Sequence, residues 1–149
     1  MSSSLYEEYI RRDIILKGHP HENDVEYPVM AMKTFEDYGN NGCALSWWPI
    51  SKPMAMVKDT HSHDFDQYLM FVGGDLTNMN DLGGEVELTI GLPGEKLETL
   101  LFTKATTFYL PAGMLHGPLY FKKINNPQKP ILFHDFFFAK EYSRKVESE

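Results

Sequence analysis

Between Cys43 and Ala139 the chain breaks into eight short apolar runs, each followed by Gly, Pro, Asn or a charged turn. Runs of this length match β-strands, and turn residues recurring at this spacing favour a sandwich or barrel over helical layers. "GEVELTIG" alternates cleanly, with Val86, Leu88 and Ile90 on one face and Glu85, Glu87 and Thr89 on the other. That pattern belongs to a strand with one face in a core and one in water. The opening dozen residues and the tail "AKEYSRKVESE" suit short helices or fraying ends.

"ILFHDFFF" breaks the alternation. Leu132, Phe136 and Phe138 share a face with His134, while Ile131, Phe133 and Phe137 share the other with Asp135. A strand apolar on both faces must be covered on both, and one barrel buries only one. The expectation is a homodimer, unless the N-terminal segment supplies the cover. Trp47 and Trp48 also point to opposite faces, one to the core and one to an interface.

The formal charge of −7 over 149 residues, with no basic cluster longer than two, argues against a nucleic-acid partner. No stretch approaches membrane-spanning length, and the charged start does not read as a signal segment. The single cysteine, Cys43, allows no intrachain disulfide and fits a cytoplasmic setting.

The six histidines carry the chemical signal. In "THSHDFDQYLMFVGG", His61 and His63 project to the same side of a strand, as two ligands of one metal must. Gln67 keeps that parity across a tight hairpin at Asp64–Asp66. Further on, "LPAGMLHGP" closes a strand at Pro111, turns at Gly113 and delivers His116 at the start of the next strand. A second HxH, His19-Pro20-His21, lies in a loop-like stretch whose proline disfavours a sheet interior. No partner motif accompanies it, and it is not expected to hold a metal.

The two motifs together, His61, His63, Gln67 and Gly74, then Pro111, Gly113 and His116, resemble the paired motifs of the cupin superfamily. The resemblance implies an all-β jelly-roll barrel. We expect one domain over residues 1–149, with the barrel from roughly 27 to 139 and short terminal extensions. It also implies one divalent metal held by His61, His63, Gln67 and His116. The sequence departs from the family at Gln67, where a glutamate is usual, at Ala55 and Ala105, where glycines usually open the motifs, and at Tyr120, where an asparagine often closes the second.

Three neutral imidazoles and a neutral amide would leave the full charge on the ion, favouring anionic oxygen ligands. Zinc, nickel, iron and manganese all suit such donors. The expected function is an enzyme acting on a small oxygen-rich anion by Lewis-acid isomerase or lyase chemistry, or an oxygen-dependent dioxygenase. The competing class is a non-catalytic sugar- or metabolite-binding module. A titratable group beside the metal separates the two, and His134, Tyr68, Tyr109 and Tyr120 are the candidates for general acid or base.

Overall fold

Strand alternation decides which residues meet in the core. In the computed structural model, which describes residues 4–35 and 38–147, eleven strands form two antiparallel sheets. They are β1 (Met30–Lys33), β2 (Ala44–Ile50), β3 (Met54–Val57), β4 (His61–Ser62), β5 (Gln67–Val72), β6 (Asp81–Gly91), β7 (Glu98–Lys104), β8 (Thr106–Leu110), β9 (Leu115–Ile124), β10 (Ile131–Phe137) and β11 (Lys145–Val146). One sheet runs β1-β2-β10-β5-β8. The other runs β11-β4-β9-β6-β7, with β3 also paired to β9. No α-helix occurs among the described residues; Glu7–Tyr9 forms a single 3-10 turn. This is a jelly roll.

Between the sheets lies a core of inward-facing residues. From one sheet come Leu69, Phe71, Leu110, Ile131 and Phe133; from the other, Val86, Leu88, Leu119 and Phe121. Phe71 stacks on Phe133 at 4.9 Å and meets Phe102 edge-on at 5.1 Å, so aromatic contacts cross the gap between the layers. Each buried aromatic of this kind contributes about 1.5–3 kcal/mol.

Two expectations change. Asp64–Asp66 is not a hairpin. β4 belongs to one sheet and β5 to the other, so the segment is a corner at which the chain changes layer. Pro111–Met114, between β8 and β9, is a second such corner. The described part of the tail, residues 139–147, neither frays nor coils, and Ser148 and Glu149 lie outside the described residues. β11 pairs with β4, and the Glu147 N–H donates to the Thr60 carbonyl at 2.9 Å. The tail's partners lie more than eighty residues away, beyond any local pattern.

The outer face of the first sheet stays open. Tyr68, Met70, Tyr109 and Phe138 are exposed there. Tyr68 stacks on Tyr109 at 5.1 Å, Phe136 meets Phe138 at 4.6 Å, and Trp47 meets His134 at 6.1 Å. Among the described residues, the N-terminal segment leaves these side chains exposed. Ile14–Leu16 instead runs along the sheet edge, bonded to Val29–Ala31.

The motif glycines have separate reasons. Gly113 takes φ +88°, a conformation side chains resist, but a Cβ there would meet open space. At Gly74 a Cβ would strike the carbonyl of Pro130 and the backbone of Lys129. Gly113→Ala should cost about 1 kcal/mol, the lower end of backbone strain, and Gly74→Ala distinctly more. Urea unfolding of the two variants checks the order.

Candidate metal centre and its cavity

The two corners are bound to each other, and that contact places the histidines. His61 on β4 stands opposite His116 on β9. The Gly113 N–H donates to the His63 carbonyl at 2.8 Å, and the Ala112 N–H to Asp66 Oδ1 at 2.9 Å. The three rings lie 4.3 to 5.0 Å apart by centroid. One nitrogen from each falls within 4.8 Å of the others, and the residues are 3%, 5% and 6% exposed for His61, His63 and His116.

Hydrogen bonds settle which nitrogen two of the rings offer. His63 Nδ1 lies 2.5 Å from the Ser143 carbonyl, and His116 Nδ1 lies 3.1 Å from the Met114 carbonyl. A carbonyl only accepts, so Nδ1 carries the proton in both and Nε2 keeps a free lone pair. Asp59 Oδ1 sits 3.2 Å from His61 Nδ1, without the alignment of a hydrogen bond, and is itself paired with Arg144.

All three rings are held neutral. Burial, then the charges of Arg144 and His63, pushes His61 down to about 4 against the pull of Asp59. Burial, then His61, pushes His116 down to about 3. His63 is lowered chiefly by burial, partly offset by the Ser143 carbonyl. Neutral imidazoles are the form that binds metal.

Gln67 is 4% exposed and lines the same cavity. Its Nε2 donates to Asp135 Oδ1 at 2.6 Å, while Oε1 is buried without a hydrogen-bond partner. An orphaned buried acceptor in the same cavity as three clustered imidazoles fits a cation, because an ion satisfies oxygen and nitrogen donors together.

The cavity holds about 590 Å³. Trp48, Met56, Leu69, Leu88, Leu119 and Phe133 give it apolar walls. None of the four residues expected to act as acid or base lines it. The cause is strand parity. Gln67 and Leu69 point inward, so Tyr68 points out; Leu110 turns Tyr109 out, Leu119 and Phe121 turn Tyr120 out, and Phe133 and Phe137 turn His134 out. The residue on the inward face of β10 is Asp135, enclosed by protein yet open to the cavity. Burial pushes its carboxyl up to about 6, against the lowering effect of the Gln67 amide. Sequence reasoning missed Asp135; a charged residue sharing a face with Phe133 and Phe137 is the signal that could have found it.

The tail adds contacts no motif announces. Besides the Ser143 carbonyl on His63, Tyr142 packs on His63 at 5.1 Å, and Ser143 Oγ donates to Asp64 Oδ1 at 2.9 Å.

The architecture matches solved structures. Bacillus subtilis oxalate decarboxylase, studied for its Mn(II) centres, aligns with a TM-score of 0.52 at 16% identity over 80% of this chain. An oxalate oxidase aligns with a TM-score of 0.51 at 17% identity over 78% of it, and has also been solved with the substrate analogue glycolate. Both are cupins. The chain has the cupin fold. It spans 27% of the decarboxylase and 53% of the oxidase, about a quarter and a half of their lengths. No family model and no curated protein matches the sequence.

Acid should destabilise the metal-free protein. The histidines' folded-state pKa values lie below the unfolded value near 6.5. The folded chain therefore binds fewer protons than the unfolded one below that pH. Stability is complete above about 6.5 and is lost as pH falls toward 4. Asp135 acts oppositely, since its raised pKa returns some stability between about 6 and 4. Urea midpoints in EDTA should fall from pH 7 to pH 4.5, and fall more steeply in Asp135→Asn.

Proposed function

We propose that this cupin is a divalent-metal-dependent enzyme of isomerase or lyase type acting on an oxygen-rich anion. The supporting observation is the presence of Asp135 in the same cavity as His61, His63, His116 and the unpartnered Oε1 of Gln67. A module that only binds needs no proton-transfer group there; an enzyme does. His61, His63 and His116 would hold the ion, with Gln67 Oε1 as fourth donor. The ion would supply Lewis acidity toward a carbonyl or hydroxyl oxygen. Asp135 orients the Gln67 amide through one carboxylate oxygen, leaving the other to take or return a proton on substrate. Apolar walls exclude water and strengthen each of these polar contacts.

Manganese is the first ion to try, since it is the metal named for the Bacillus subtilis decarboxylase. Elemental analysis should find about one divalent ion per chain and none in His61→Ala/His63→Ala. Gln67→Leu should weaken metal binding by about tenfold or more; unchanged affinity would place the amide off the metal. Metabolite screens run with and without oxygen test the reaction, separating non-redox chemistry from an oxygenase. Asp135→Asn should then keep metal and substrate binding while losing turnover.

The same reading includes a cytoplasmic setting and a homodimer in which a second copy covers the open face bearing Tyr68, Tyr109 and Phe138. No helix among the described residues is long and apolar enough to cross a membrane. Light scattering at micromolar concentration should give twice the 17.2 kDa of one chain; a species of that single mass would refute the dimer.

A further inference from the structure

His19 and His21, excluded above as metal ligands, line the same cavity as the three-histidine cluster. We propose that they form, with Trp48, a second subsite that holds the far end of an elongated acid, one with an apolar body and a distal hydroxyl or carbonyl oxygen. This rests on the metal-dependent reading of the first site and specifies its substrate class.

The subsite is built rather than incidental. The His19–His21 loop is fastened at both ends. The Gly18 N–H donates to Glu22 Oε1 at 2.6 Å, the Val25 N–H donates to the His21 carbonyl at 2.9 Å, and Val25 is buried in the core. Both imidazoles stand edge-on to Trp48, at 5.0 Å and 74° for His19 and 5.9 Å and 76° for His21. The Trp48 indole N–H is spent on Ser46 Oγ at 2.8 Å, so its ring presents an apolar wall.

One bond fixes the polarity of His19. The His21 N–H donates to His19 Nδ1 at 3.2 Å, so Nδ1 is an acceptor and the proton resides on Nε2. His19 therefore offers a hydrogen-bond donor, and its complement on a ligand is an oxygen. Apolar side chains would serve if this loop only packed on Trp48. The His21 ring has a backbone partner at Met56, so the His19 Nε2–H is the group assigned to the ligand.

Size makes the same point. About 590 Å³ lies within the range of roughly 300–1,000 Å³ that encloses drug-sized ligands. A two-carbon acid would leave most of the apolar wall against water.

Calorimetric titration of Mn(II)-loaded protein with pyruvate, phenylpyruvate and 4-hydroxyphenylpyruvate tests the subsite. Wild type should bind phenylpyruvate more tightly than pyruvate, and 4-hydroxyphenylpyruvate about tenfold more tightly again. His19→Ala/His21→Ala should lose the tenfold preference for the hydroxyl while keeping its Mn(II) and its pyruvate affinity. If the double variant does not fold, His19→Ala alone should lose most of that preference. No preference in wild type, or a preference that survives the substitutions, overturns the subsite. Repeating the titrations on EDTA-stripped protein separates the two readings. Hydroxyl discrimination that persists without Mn(II) alongside unchanged pyruvate binding supports the subsite and sinks the metal reading. Mn(II)-dependent pyruvate binding without discrimination sinks the subsite alone.

Discussion

The site depends on burying three imidazoles within 4.8 Å of one another. In a low-dielectric interior, two protonated rings at that range repel strongly, and even one carries a desolvation cost. The barrel therefore keeps all three neutral, with lone pairs held close together. Two carbonyls, from Met114 and Ser143, secure this by taking the Nδ1 protons of His116 and His63. Neither carbonyl belongs to a ligand, yet each sets which nitrogen its ring presents.

Such positioning needs a rigid frame, and the frame is the pair of sheet-crossing corners. A hairpin would return His61, His63 and Gln67 to a single sheet. A corner instead leaves His61 on one layer and Gln67 on the other, so the donors converge from both walls of the cavity. The Gly113 N–H and the Asp66 carboxylate tie one corner to the other. This explains why Gly113 and the two histidine motifs can be recognised together in the sequence although about fifty residues separate them. They form one mechanical unit.

What could be read from the sequence follows the same division. The strands were legible because period-2 alternation is local, and the three-histidine cluster was legible because motif spacing encodes both corners. None of the four acid–base candidates lines the cavity; for His134, parity with Leu132 and Phe136 already put it on the outer face and Asp135 on the inner. The tail was illegible for a different reason. β11 is two residues long and its partners lie on β4, so neither periodicity nor composition marks it. The place of the His19–His21 loop in the cavity depends on Val25 and Trp48 packing that no local pattern reveals.

Asp135 also changes the electrostatics expected of a glutamine at this position. An amide in place of the usual glutamate suggests a shell one charge more positive. Here the amide donates directly to a carboxylate, so the negative charge is displaced by one side chain rather than removed. Coulomb energy falls only inversely with distance, and the apolar walls limit screening, so an ion at the histidines would still feel much of that charge. The hydrogen bond polarises the amide toward Asp135 and makes Oε1 a better donor than an isolated glutamine oxygen. A glutamate at this position would face Asp135 as a like charge, and one of the two would retain a proton. On the proposed reading, glutamine would let a carboxylate stand near the ion without competing for it. Asp135 would then lie outside the donor set, where it could exchange a proton with substrate.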